Sequence, residues 1–205
     1  MTIGNSVPCT VKSIQSDQIK CTFGEGTLQN SDFSGSGAQY TLYNLNGVSN
    51  YDTASQVKTG VDTGNHSAWP VLEQGILQEL EFKTDAAQSG LYVRGWFIAQ
   101  RTATHYFWLA GDNTAELWGI SAAGSNNRSS LTLWNKVCSA RQTRFYYGAG
   151  FDAGCDIPRS AGVSLTAGSQ YYYEVFMRNA EGIGMVTASV EITTNEVWPN
   201  AMSEV

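Results

Sequence analysis

Residues 185–193, MVTASVEIT, put Val186, Ala188, Val190 and Ile192 on one side of an extended chain and Thr187, Ser189 and Glu191 on the other. Alternation with a period of two is the pattern of a strand with one face in a core and one in water. No run longer than about ten residues keeps a helical period instead. The same reading finds strands in QYTLYNL, in ILQELEFKT, where Leu80 and Phe82 alternate with Glu79 and Glu81, and in LYVRGWFI, where Leu91, Val93 and Phe97 oppose Tyr92, Arg94 and Trp96. Adding HYFWLA, AELWGIS, SLTLWNKV and GVSLTAGSQYYYEVFM gives roughly eight to ten strands, which predicts an all-β, antiparallel β-sandwich. Residues 46–75 read as a long polar stretch, and residues 138–160 as an irregular excursion bracketed by two cysteines.

Composition agrees. Hydrophobic residues make up 42% and aromatics 12%, enough for a packed core, whereas charged residues are only 15% and polarity comes from Ser, Thr, Asn, Gln and 21 Gly. The net charge of −6, without a Lys/Arg cluster, argues against nucleic acid and anionic membrane as partners. No apolar run approaches membrane-spanning length, so membrane insertion is not expected. No signal peptide opens the chain, which fits a removed leader or a segment of a longer protein.

The four cysteines fall in two local pairs, Cys9/Cys21 and Cys138/Cys155. Three connectivities are open, and locality favours 9–21 and 138–155, each contributing roughly 3 kcal/mol in the chain-entropy model. Disulfides imply an oxidising compartment. Two glycosylation sequons, at Asn65 and Asn127, point the same way.

The stretches LYVRGWFIAQRTATHYFWLAGDNTAELWGIS and VSLTAGSQYYYEVFMRNAEGIGMVTASVEI resemble the N-terminal domain family of the bacterial toxin protective antigen. The RGWF strand, the Thr-x-Tyr-Phe-Trp strand at 104–108, the Asp-x-x-x-x-Leu step into the next strand and SLTAG-x-x-YYYEV carry the likeness, over roughly residues 38 to 193. It is similar to the variant found in fibrocystin-like surface proteins. TIGNSVPCTVKSIQSDQIKCTF resembles part of an immunoglobulin-like IPT/TIG domain.

The resemblance implies a jelly-roll-like sandwich at 38–194, preceded by a partial immunoglobulin-like segment at 1–23 and a linker at 24–37, and followed by a connector at 195–205. Two or three strands cannot complete an immunoglobulin-like sandwich of about seven. The expectation is therefore an excerpt of a longer polypeptide, or a module completed by a neighbouring chain.

In lectin-like members of the family, two consecutive aspartates after the corresponding strand bind calcium, which positions sugar hydroxyls. The matching positions here are Asp112 and Asn113, so one carboxylate is replaced by an amide. Asn179 is the candidate for a further calcium ligand, with Glu181 beside it. Calcium favours six to eight oxygens. Asp and Asn also make ordinary turns, and GDNT reads equally as the turn of a hairpin.

Trp118 and Tyr172 are candidate sugar-stacking residues, Tyr172 because it shares a face with Glu174. Trp108 and Trp134 are weighed alongside, against core packing. Asp152 and Asp156 are no more than a solvated loop pair, and His105 lacks a nucleophile motif. The expected function is a non-enzymatic recognition or adhesion module of a large extracellular, cell-surface or matrix protein, with glycans as ligands. The alternative is a structural spacer or subunit of a fibre or filament that binds neighbouring protein subunits.

Overall fold

The computed structural model describes residues 37–138 and 159–193, and the backbone of three strands nearer the N-terminus. Those three, β1 (Thr2–Ile3), β2 (Val7–Gln15) and β3 (Gln18–Phe23), form an antiparallel sheet of their own. Cys9 lies opposite Phe23 and Cys21 opposite Val11 in its register. The expected linker up to residue 36, the C-terminal connector, Cys155, Asp152 and Asp156 lie outside the described residues. Cys138 is disulfide-bonded.

Ten strands build an antiparallel β-sandwich, as the alternation predicted. They are β4 (Ala38–Asn44), β5 (Val71–Leu77), β6 (Glu81–Thr84), β7 (Ser89–Ile98), β8 (Ala103–Asp112), β9 (Thr114–Gly119), β10 (Thr132–Val137), β11 (Val163–Leu165), β12 (Gln170–Asn179) and β13 (Gly184–Thr193). One sheet has the order β10-β9-β12-β7-β4-β5, and the other β11-β8-β13-β6.

Between the sheets, Leu42, Leu91, Val93, Leu117, Val175 and Met177 meet Phe82, Phe107, Leu109 and Val186. Trp134 stacks on Phe107 with ring centroids 4.3 Å apart, so it is core and not a sugar platform. Burying each such side chain contributes about 1.5–3 kcal/mol.

The long polar stretch 46–75 contains a helix, α1 (Ala54–Asp62). Thr53 and Gln56 form a capping box, each side chain accepting from the other's backbone N–H. The helix lays Val57 and Val61 on the outer face of the six-stranded sheet, against Tyr43, Tyr92, Phe176 and Trp69. This second apolar layer lets β7 and β12 be buried on both faces.

Register fixes two poles. Asn44 faces Ser89, which in turn faces Asn179, while Gly184 opens β13. Ala38 at the start of β4 and Thr193 at the end of β13 lie at the opposite pole, near Gln170 and Thr104.

Candidate functional site

Two links cross between the sheets at the Asn44 pole. β8 ends at Asp112 in the four-stranded sheet and, after Asn113 alone, β9 begins in the six-stranded one. β12 ends at Asn179 in the six-stranded sheet and, four residues later, β13 begins in the other. The expected hairpin at GDNT is therefore not formed: β8 and β9 change sheets at a corner. Asp112 pairs with Met185, and Thr114 with Arg178, so nearly every residue through the corner finds a ladder partner. The corner is tight enough that a Cβ on Gly111 would sit against the Ala115 methyl.

The two links are tied together. Asn113 Oδ1 accepts the Ala180 N–H at 2.5 Å, and Asn113 Nδ2 reaches Asp112 Oδ1 at 3.4 Å. Asn179 Nδ2 donates to Ala86 O at 2.9 Å and Gly182 O at 3.1 Å. Asn179 Oδ1 is buried and has no hydrogen-bond partner. Gly184 packs directly on the Asn179 side chain, and its neighbour Met185 opposes Asp112, which brings Asn179 beside the Asp112 corner.

A buried amide oxygen without a donor costs roughly 1–3 kcal/mol. A hard cation is one group that would offset this cost, and carboxylate plus amide oxygens are the donors calcium takes. Asp112 and Asn179 supply one oxygen donor of each kind at this pole. Asn113 Oδ1 carries one hydrogen bond, from the Ala180 N–H, and keeps a second lone pair. Glu181 stands exposed in the 180–183 link. Among the described residues, no group of three or more His, Cys, Asp or Glu side chains could hold a metal.

The outer face of the six-stranded sheet corrects a second expectation. Tyr172 does share a face with Glu174, but it is 4% exposed and its hydroxyl donates to Glu174 Oε1 at 2.8 Å. Tyr92 OH donates to the same oxygen at 2.9 Å. Arg128 completes the set, with Nε and Nη2 on the two Glu174 oxygens at 2.7 and 2.8 Å. Arg128 also reaches Asp62 at the end of α1 at 2.8 Å.

Hydrogen bonding to Glu174 holds the Arg128 guanidinium above its ordinary pKa, and burial raises the Tyr92 and Tyr172 phenols, so they remain donors. A second buried carboxylate, Glu116, accepts from Ser55 Oγ and from Trp118 Nε1 at 2.8 Å, with Lys136 Nζ at 3.4 Å. Lys58 Nζ lies 4.4 Å from the Trp118 ring centroid, so a cation covers the expected sugar platform. Arg128 carries no local sequence signal beyond its place in the Asn127-Arg128-Ser129 sequon.

The remaining candidates separate cleanly. Asn65 and Asn127 are both exposed, each at a short 3-10 turn. Asn127 Oδ1 accepts from Ser129 N and Oγ. Trp108 is half-buried and donates to Glu191 at 3.1 Å. His105 is buried in β8, with Nδ1 on Ala103 O and Nε2 unpartnered.

No family model matches the chain. No curated protein sequence matches it either. Similar folds are found among solved structures. The epithelial adhesin 6 A domain from Candida glabrata, in complex with Galβ1-3GlcNAc, superposes with a TM-score of 0.52 at 14% identity, covering 95% of this chain and 87% of that one. The epithelial adhesin 9 A domain from the same organism, in complex with Galβ1-4GlcNAc, gives 0.53 at 12% identity over 79% and 84%. A subtype-switched epithelial adhesin 9 A domain in complex with β-lactose gives 0.52 at 11% over 79% and 83%. At these identities the likeness is one of fold. Among the described residues, no helix is long and apolar enough to cross a membrane.

Proposed function

We propose that this chain is a non-enzymatic carbohydrate-recognition module of an extracellular or cell-surface adhesion protein. It binds its glycan at the pole where the 112–114 and 179–184 links meet. The observation that carries the reading is the buried, unpartnered Asn179 Oδ1 next to the Asp112 corner. Asp112 and Asn179 would hold a calcium ion, whose open coordination positions take sugar hydroxyls. With a single carboxylate, affinity for calcium is modest compared with a site built on several.

Three things support the reading. The chain resembles the protective-antigen N-terminal family in its GDNT and YYYEV segments. Its fold resembles adhesin domains solved with galactose-containing glycans. Finally, the two exposed sequons and the disulfide at Cys138 suit an oxidising, glycosylating compartment. In the same reading, Cys138 pairs with Cys155 and Cys9 with Cys21, Asn65 and Asn127 carry glycans, and residues 1–23 belong to an immunoglobulin-like module.

The test is a glycan-array screen of the chain in millimolar calcium and in chelator, with Asp112→Ala alongside. Calcium-dependent binding to galactosides that the variant loses is the expected result. Binding that survives both chelator and substitution would place the ligand elsewhere on the molecule. No binding under any condition would return the module to a structural role.

A further inference from the structure

β5 is the outermost strand of the six-stranded sheet. One of its edges pairs with β4, and no described strand pairs with the other. Five large apolar side chains are exposed among the described residues, and three of them lie on this strand: Val71 at 53%, Leu72 at 47% and Ile76 at 44%. An apolar edge with open N–H and C=O groups is a template for another strand. Proteins guard such edges with charge or bulges. Here the register slips by one residue at Leu72, but the one charged side chain, Glu73, is tied to the Tyr40 hydroxyl.

We propose that β5 pairs antiparallel with β5 of a second copy, about a two-fold axis at Gln74, to form a closed dimer. Opposed positions in that register sum to 148, so the sequence VLEQGIL meets itself. Val71 lies opposite the second copy's Leu77, Leu72 opposite Ile76, and Glu73 opposite Gly75. Each exposed apolar side chain meets an apolar partner. The carboxylate meets a residue without a side chain, where a different register would oppose Glu73 to itself, an unfavourable like-charge pair. A second copy therefore satisfies the shape and charge of this edge without help from another protein. Because the contact is isologous, it closes at two chains and does not grow into a fibre.

Sedimentation velocity of the full chain over a concentration series tests the pairing. The wild-type chain is expected to dimerise, and Ile76→Lys to raise the dissociation constant by at least about tenfold, two lysines being placed against Leu72. Ile76 is already exposed, so circular dichroism of the variant should match the wild type. Under mild oxidation Gln74→Cys should crosslink two chains, whereas Glu73→Cys should not. A monomer at every concentration, a dimer untouched by Ile76→Lys, or crosslinking at 73 in place of 74 would overturn the proposal.

Discussion

The side-chain oxygen of Asn113 accepts the backbone N–H of Ala180, so the one-residue link out of β8 is stapled to the four-residue link out of β12. The two crossings between the sheets are therefore one structural unit, and the candidate site is built on it. Asn113→Ala removes the acceptor and leaves the Ala180 N–H unmatched. We expect a loss of about 1–2 kcal/mol, read from the urea midpoint. An unchanged midpoint would mean that the two links stand independently.

Asn113→Asp separates the staple from the metal. The aspartate keeps an acceptor for Ala180 and supplies a second carboxylate at the corner. The calcium-induced rise in melting temperature should exceed that of the wild type and disappear when Asp112→Ala is added. Equal calcium responses in the variant and the wild type would show that this corner does not face the ion.

Arg128 neutralises a carboxylate that is fully buried, while itself remaining about a third exposed. Arg128→Met leaves Glu174 with two phenols and no cation. The expected cost is about 3 kcal/mol, the lower end for breaking a buried pair, since water reaches the arginine side. The double variant Arg128→Met/Glu174→Met should recover most of the loss. If it does not, the phenols of Tyr92 and Tyr172 need the carboxylate as much as the arginine does.

Acid should destabilise the fold through His105. Burial lowers its pKa, although the bond to Ala103 O works the other way. The unfolded chain therefore takes up this proton more readily than the folded one. Its contribution is fully present above the unfolded value of about 6.5 and is lost as pH falls through the lower folded value. Chemical denaturation at pH 7.5 and at successively lower pH, alongside His105→Phe, would read this as a slope that flattens in the variant.

Gly119 lies under Trp134, so that a methyl there would strike the six-membered ring of the indole. The indole is rigid and stacked on Phe107. Gly119→Ala should therefore cost about 1–3 kcal/mol by overpacking. A thermal melt checks it, and a neutral result would require Trp134 to have another place to go.

Strand faces were legible because alternation is a local property. Leu91, Val93 and Phe97 do turn inward, and Tyr92 outward, and Tyr171 and Tyr172 do part to opposite faces. What covers each face was not legible. Tyr172 was expected to be exposed because its strand alternates, yet it is buried by a network whose arginine lies 46 positions from Glu174. The helix that covers Phe176 spans nine residues within a polar stretch, and its main local sign is the Thr53/Gln56 cap. GDNT suggested a hairpin because turn residues mark where a chain breaks, not which strands pair afterwards. The buried oxygen of Asn179 depends on where Gly182 and Ala86 take up its amide nitrogen, and no spacing rule reaches that.

Among the described residues, the first strand of the sandwich begins at Ala38 and the last ends at Thr193, both at the pole away from the stapled links. Tension applied at those two points would open the pairing of β4 and β13 from that pole, because their registers start there. The stapled corner is the last part of either strand to feel the pull. A grip formed there would keep its shape while the loaded end begins to yield, so the fold would extend under load before it releases a ligand.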